Sequence, residues 1–238
     1  MRLSKVLEVK RRKLRNRIFT LGVFITGLLS IAFAVITFYG QNAGNFVMAV
    51  DYDSFRRGII LSTSRDFEIT TSQLMTEPID DAREMTYSWL KIEEILQAEG
   101  NYVDPDYDYV AYTFYIMNNG FETVDITYHM RMTDSSYGIE DAIRILVIED
   151  DEKETMYQSL DGLTDDGELP KYPNVMPTGK LYLSDTIVFR ETFNKFEPLQ
   201  VKKFSVIIWL EGYDPDTNDD VLGGRVKLQM NFSIDNEV

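Results

Sequence analysis

The chain has 238 residues, of which 24 are Lys or Arg, 39 are Asp or Glu, one is histidine and none is cysteine, for a formal charge of −15. This composition excludes a disulfide scaffold and a Cys-His nucleophile, and a single histidine excludes the paired ligands of an HExxH zinc enzyme. An acidic surface of this kind repels nucleic acid and anionic lipid headgroups and attracts cations or basic partners.

The charge is unevenly distributed. Residues 1–17 hold eight basic residues (Arg2, Lys5, Lys10, Arg11, Arg12, Lys13, Arg15 and Arg17) and one acid, Glu8. The rest of the chain carries 16 basic and 38 acidic residues, a formal charge of −22. Between the basic tail and the acidic remainder lies Ile18 to Tyr39, a run of 22 residues without a charge. As a helix rising about 1.5 Å per residue this run reaches roughly 33 Å, enough to cross the hydrocarbon core. The positive-inside rule then makes 1–17 a cytoplasmic tail and 18–39 a single-pass signal-anchor helix, with Phe38 and Tyr39 at the outer interface and the C-terminal part extracellular. Ala32-Phe33-Ala34 fits the small-x-small pattern of a signal peptidase site, which leaves cleavage after Ala34 as the competing reading. Val35 to Tyr39 still follow it, whereas the apolar region of a usual signal ends at its cleavage site, so the uncleaved anchor is preferred. Residues 40–45 form a linker, and 46–238 suffice for one sizeable domain. An exported domain without cysteine also fits a Gram-positive envelope.

Beyond the linker the pattern is mostly that of strands. Phe46, Met48 and Val50 share one face of a first strand over Asn45 to Tyr52. Gly58 to Ser62 is a second, and Asp66 to Thr70 a weaker third. One helix is expected over 78–99. Glu77-Pro78-Ile79-Asp80-Asp81 suits a helix N-terminus, Met85, Trp89, Ile92 and Leu96 recur at helical spacing, and Gly100-Asn101 closes it. Its expected role is to cap the strands by burying Trp89. Asp108 to Met132 reads as a hairpin through Asn118-Asn119-Gly120, whose residues accept the positive φ of a tight turn. A further hairpin runs from Ala142 to Ser159 through Asp150-Asp151-Glu152. Asp161 to Gly179 is a long loop rich in Gly, Pro and Asp. Thr186 to Phe193, Val201 to Glu211 and Arg225 to Ile234 complete the strands. Val206, Ile208 and Leu210 on one face and Ile207 and Trp209 on the other predict a central strand covered on both sides. The fold class is therefore all-β with one capping helix, an antiparallel β-sandwich or jelly roll preceded by a single transmembrane helix.

Chemistry is sparse. His129 lies mid-strand beside Thr127 and Arg131, on the face opposite Tyr128 and Met130, and reads as a solvent-facing histidine. No acid pair stands out as that of a glycoside hydrolase. The best candidate site is the loop Glu211 to Asp220, where Asp214, Asp216, Asn218 and Asp220 recur at every second position, a spacing at which oxygen ligands can converge on calcium. It is not an EF-hand, since Asp219 stands where glycine is required and Arg225 where the bidentate glutamate belongs. A solvated turn closed by Asx motifs is the plainer reading. Asp104-Pro105-Asp106, ahead of the central hairpin, is a second and weaker candidate. Calcium is the one cofactor expected to be possible.

Val206-Ile-Ile-Trp-Leu-Glu-Gly-Tyr-Asp-Pro-Asp, with Gly223-Gly224-Arg225-Val226-Lys227-Leu228, Phe232-Ser233, Tyr109 to Gly120, Gly58 to Ser62 and Arg65 to Glu68, resembles a group of Gram-positive (Firmicutes) signal-anchored surface proteins. More distantly, the anchor, the strands and the closing G-x-V-x-L are similar to TasA/camelysin-like exported proteins, some of which are biofilm-fibre subunits. Camelysin is described as a metallopeptidase, but this chain has no zinc motif. The resemblance implies location and fold. The expectation is a membrane-anchored, non-catalytic cell-surface protein with a structural or interaction role, binding a protein partner or self-assembling, with no nucleic-acid partner. The alternatives are a fibre or matrix subunit released by cleavage, and a calcium- or carboxylate-dependent hydrolase.

Overall fold

The apolar run does form a helix where it is described. In the computed structural model, which describes residues 19–33 and 45–235, residues 19–33 are helical (α1). The Thr26 hydroxyl donates to the Gly22 carbonyl at 2.9 Å, so one of the few polar groups of this helix is satisfied within it. The tail 1–17, the apolar run after Phe33, Ala34 of the cleavage pattern and the linker 40–44 lie outside the described residues. Among the described residues no helix is long and apolar enough to cross a membrane. The chain divides into two units, Met1–Ala43 and Gly44–Val238.

The second unit is mostly β, in two sheets. The smaller is built from β1 (Phe46–Val50), β3 (Gln73–Met75), β7 (Val124–Ser135), β11 (Ile187–Phe196) and β13 (Val226–Ile234), in the order β11-β7-β13-β1-β3. The larger follows the order β10-β9-β8-β12-β6-β2, from β2 (Ile59–Ser62), β6 (Val110–Asn118), β8 (Ile143–Glu149), β9 (Lys153–Gln158), β10 (Lys180–Leu181) and β12 (Val201–Glu211). Two-residue strands β4 (Glu84–Met85) and β5 (Gly100–Asn101) pair with β12 and β6. Short helices α2 (Tyr52–Arg56), α3 (Ile92–Gln97) and α4 (Ile139–Ala142) lie between strands. Pairing is not purely antiparallel as expected: β1 runs parallel to β13, β4 to β12 and β10 to β9.

Period-2 alternation explains the core. Phe46, Met48 and Val50 of the smaller sheet and Ile59, Leu61, Phe114 and Phe204 of the larger join one buried cluster. Its centre is aromatic, with Phe114 and Phe204 stacked at 5.6 Å, Tyr128 and Phe232 at 5.7 Å, and Phe114 edge-on to Phe232 at 6.0 Å. A second cluster, including Ala111, Leu146, Met156, Ile207 and Trp209, covers the other face of the larger sheet. Strand β12 is thus central and buried on both sides, as its sequence implies.

Three sequence expectations need correction. Strands β6 and β7 are not a hairpin: β6 pairs with β12 and β2, and β7 with β11 and β13. Strand β6 is apolar on both faces and needs cover on both, whereas β7 has a polar face of Asp125, Thr127, His129 and Arg131 that belongs in water. Asn118-Asn119-Gly120 therefore carries the chain from one sheet to the other. The Asn118 amide fixes this crossing by donating to the Glu122 and Phe196 carbonyls, both at 2.8 Å, and accepting the Gly120 N–H at 2.9 Å. A Cβ on Gly120 would collide with the Arg57 carbonyl, and Gly58 (φ +100°) meets the Gly120 backbone from the other side.

The helix over 78–99 is also absent. Met85 is drawn into β4 beside Glu211, Tyr87–Trp89 form a single 3₁₀ turn, and only Ile92–Gln97 are α-helical. Trp89 is 47% exposed and stacks on Tyr107 at 5.1 Å, while Met85, Thr86 and Ile95 are the buried residues of the segment. Ladder bonds to the end of β12, and cover for the outer face of the larger sheet, outweigh helical periodicity. Asp66 to Thr70 is a turn and bend region, and the strand there is β3.

Candidate functional site

Both acidic loops lie at one end of the larger sheet, because β12 ends at Glu211 and antiparallel β6 begins at Val110 in register with Ile208. At the end of β12, Glu211 is fully buried and accepts from Trp209 Nε1 at 2.9 Å and Tyr213 N at 3.2 Å. The chain then turns inward, and Asp214 is buried. Its Oδ1 accepts the Asp216 N–H at 2.9 Å, an Asx turn, and its Oδ2 is 2.5 Å from Nη2 of Arg144.

Arg144 organises this region. It stands on β8 opposite Trp209, with no exposed surface. Nη2 also donates to Asp161 Oδ1 at 2.7 Å and Tyr172 Oη at 2.6 Å, and the guanidinium lies 5.4 Å from the Tyr172 ring centroid. Gln158 Nε2 donates to the same Asp161 oxygen at 2.8 Å. Burial pushes the Asp214 carboxyl above its usual range, and Arg144, shared with Asp161, only partly offsets this. Burial works against the guanidinium charge too, but Asp214 and the other partners outweigh it and hold Arg144 protonated.

The remaining members of the expected calcium set point elsewhere. Asp216 Oδ2 accepts the Gly162 N–H at 3.0 Å. A Cβ on Gly162 would come within 2.6 Å of Asp216, so glycine permits this approach of the 161–179 loop. Asn218 Oδ1 accepts the Asp220 N–H at 2.8 Å and so caps the 3₁₀ turn Asp219–Val221, in which Asp220 is exposed. Among the described residues Asp214, Asp216 and Asp220 do not form a group that could hold a metal ion.

Asp104 and Asp106 are brought together, by a lysine. Lys91 Nζ lies 3.1 Å from Asp104 Oδ1 and 2.9 Å from Asp106 Oδ2. Asp104 repeats the burial and Asx turn of Asp214, closing its turn with the Asp106 N–H at 2.8 Å, and in addition accepts from the Tyr109 hydroxyl at 2.8 Å. Burial raises its pKa, but the Asp106 N–H, the Tyr109 hydroxyl and Lys91 outweigh burial and hold the carboxyl below its usual range. The same contacts with Asp106 and Asp104 raise Lys91. A cleft of about 450 Å³ adjoins this loop, with Glu77, Asp80, Asp81, Tyr102, Tyr107 and Asp108 on its walls.

Among the described residues no three His, Cys, Asp or Glu side chains are grouped so as to hold a metal. Each Asp-Pro-Asp loop already has a protein cation, Arg144 or Lys91, against its first carboxylate. Sequence reasoning missed both cations. Arg144 carried a signal, since a charge at an apolar-strand position that faces a covered sheet needs a buried counter-ion. Lys91 carried none, because the expected helix placed it on a solvated face.

No protein-family model matches the chain, and no curated protein matches it in sequence. Two solved structures are similar in part. The β-glucosidase from Kluyveromyces marxianus in complex with glucose is 11% identical over 75% of this chain and 16% of that one, with a TM-score of 0.27. The selenomethionine-labelled β-glucosidase from the same organism is 12% identical over 72% of this chain and 16% of that one, with a TM-score of 0.23. The chain thus spans about one sixth of the length of these enzymes. Likeness at this level carries nothing about fold or activity.

Proposed function

We propose that the chain is a membrane-anchored, non-catalytic β-sandwich protein of the cell surface, with a structural or interaction role at the envelope. The supporting observation is the charge-free helix over 19–33, which continues an apolar run of 22 residues between a tail of +7 and a remainder of −22. A helix apolar all the way round has no amphipathic face to lay on a protein core, and lipid is the solvent that suits it. The non-catalytic part of the reading rests on the acidic loops. Asp104 and Asp214 are spent on turn N–H groups and internal cations, which fixes backbone and leaves neither positioned for proton transfer to a substrate.

Protease treatment of intact cells tests the topology. External protease is expected to remove epitopes within 44–238 while a tag on the N-terminal tail stays protected until the membrane is permeabilised. Protection of both ends in intact cells would overturn the reading.

A further inference from the structure

A patch on the outer face of the smaller sheet is basic, although the chain beyond residue 17 carries a formal charge of −22. Three neighbouring strands present it. On β7, Thr127, His129 and Arg131 alternate with the buried Tyr128 and Met130. Arg190 of β11 lies directly opposite His129 on one side, and Asn231 of β13 opposite it on the other. Directly opposed residues have Cβ atoms about 4.5–5.5 Å apart, so the Arg190, His129 and Asn231 side chains leave the sheet as one row. Arg131 stands in the next row, where its Nη2 donates to Gln229 Oε1 at 3.1 Å. The row on the other side is hydroxylic, with Thr127 and Thr192 bonded at 3.0 Å and Ser233 beside them.

Like charges placed opposite and diagonal on a sheet destabilise it. A chain with 39 acids has ample means to neutralise them. Yet among the described residues neither Arg131 nor Arg190 makes an ion pair, whereas Arg57, Lys91, Lys153, Lys202 and Lys203 all do. Carboxylates flank the patch: Asp235 reaches the Thr127 row next to His129, and Asp134 stands opposite Lys227 beyond Arg131. Asp125 is engaged by the Lys195 N–H at 2.7 Å, and Asp235 by Thr127 at 3.3 Å. Unrelieved repulsion within a frame of amide and hydroxyl donors is the arrangement of an anion site. With a screening length of about 8 Å at physiological salt, an anion arriving at the row of Arg190 and His129 responds chiefly to the cations beside it.

We propose that this face binds a phosphate group, held by the Arg190 and Arg131 guanidiniums with the His129 imidazole and Asn231 amide between them. Guanidinium forks match phosphate oxygens bidentately, and the neighbouring hydroxyls supply further donors. Burial, Arg190 and Arg131 lower the His129 pKa, the sense expected of an imidazole in a positive field.

His129 is the only histidine, so it reports on the site directly. The charged groups near it are Arg190 from β11, Arg131, Asp125 and Asp134 on β7, Lys227 on β13, and Asp235 just beyond the end of β13. The full chain, labelled with 13C at histidine Cε1 and held in non-ionic detergent, is titrated with pH in chloride and in inorganic phosphate of equal ionic strength. Phosphate is expected to raise the His129 pKa by about 0.5 or more over chloride, because a bound anion favours the imidazolium. The R131Q/R190Q variant is expected to lose that rise. Both side chains are exposed, and unchanged tryptophan emission verifies that the variant is folded. Soluble glycerol phosphate and vesicles containing phosphatidate, compared in the same way, distinguish a free ester from a lipid headgroup. Identical curves in chloride, phosphate and both ester arms, or a rise that survives in R131Q/R190Q, would overturn the proposal.

Discussion

At the scale of single residues, stability at the acidic end rests on two cations. Removing Arg144 strands Asp214 and Asp161 with a buried charge, a loss of about 3–5 kcal/mol. For a unit of this size that is a drop of roughly 6–20 °C in Tm for Arg144→Ala, measurable by calorimetry. Asp104 makes a pH-dependent contribution. Its folded pKa lies below the unfolded value, so its stabilisation is present above about pH 4 and lost as pH falls through the lowered folded value. Urea midpoints should show Asp104→Asn less stable than the parent at pH 7, with the gap closing on acidification; a gap independent of pH would contradict this. The aspartates themselves were legible as a pattern of alternate oxygens. Their role was not, because the counter-ions Arg144 and Lys91 come from segments 70 and 13 residues away in sequence.

At the scale of elements, alternation located the strands and left their partners open. Strands β12 and β13 agree with the sequence almost to the residue, since each needs only its own side-chain pattern. The hairpin expected between β6 and β7 failed because pairing depends on which faces other segments cover. Asn-Gly serves a sheet-to-sheet crossing as well as a tight turn. Gly120→Ala is expected to cost at least about 2 kcal/mol by forcing apart the crossing and the Arg57 carbonyl. The expected helix over 78–99 failed because its stripe mixed residues with different partners, and the two tryptophans test this directly. Trp209→Ala is expected to cost about 3–5 kcal/mol in urea unfolding and to remove a blue-shifted component of emission. Trp89→Ala is expected to cost under about 1.5 kcal/mol and to remove a solvent-exposed component. Equal effects from the two would restore the capping helix.

At the scale of the whole molecule, charge is partitioned three ways: a basic tail, an acidic β unit, and a local basic face on the smaller sheet of that unit. The first two partitions are visible in the sequence as a linear trend. The third appears only when Arg190, His129 and Arg131, up to 61 residues apart in sequence, are set side by side by the ladder. The tether is the central claim, and Ala32-Phe33-Ala34 is where it is decided. Mass spectrometry of the protein recovered from its native membrane tests it most directly. The account predicts an intact species that retains the basic peptides of residues 1–17 and stays with the membrane after alkaline carbonate washing. A mature N-terminus at Val35, found in the medium, would contradict it and make the chain a released subunit.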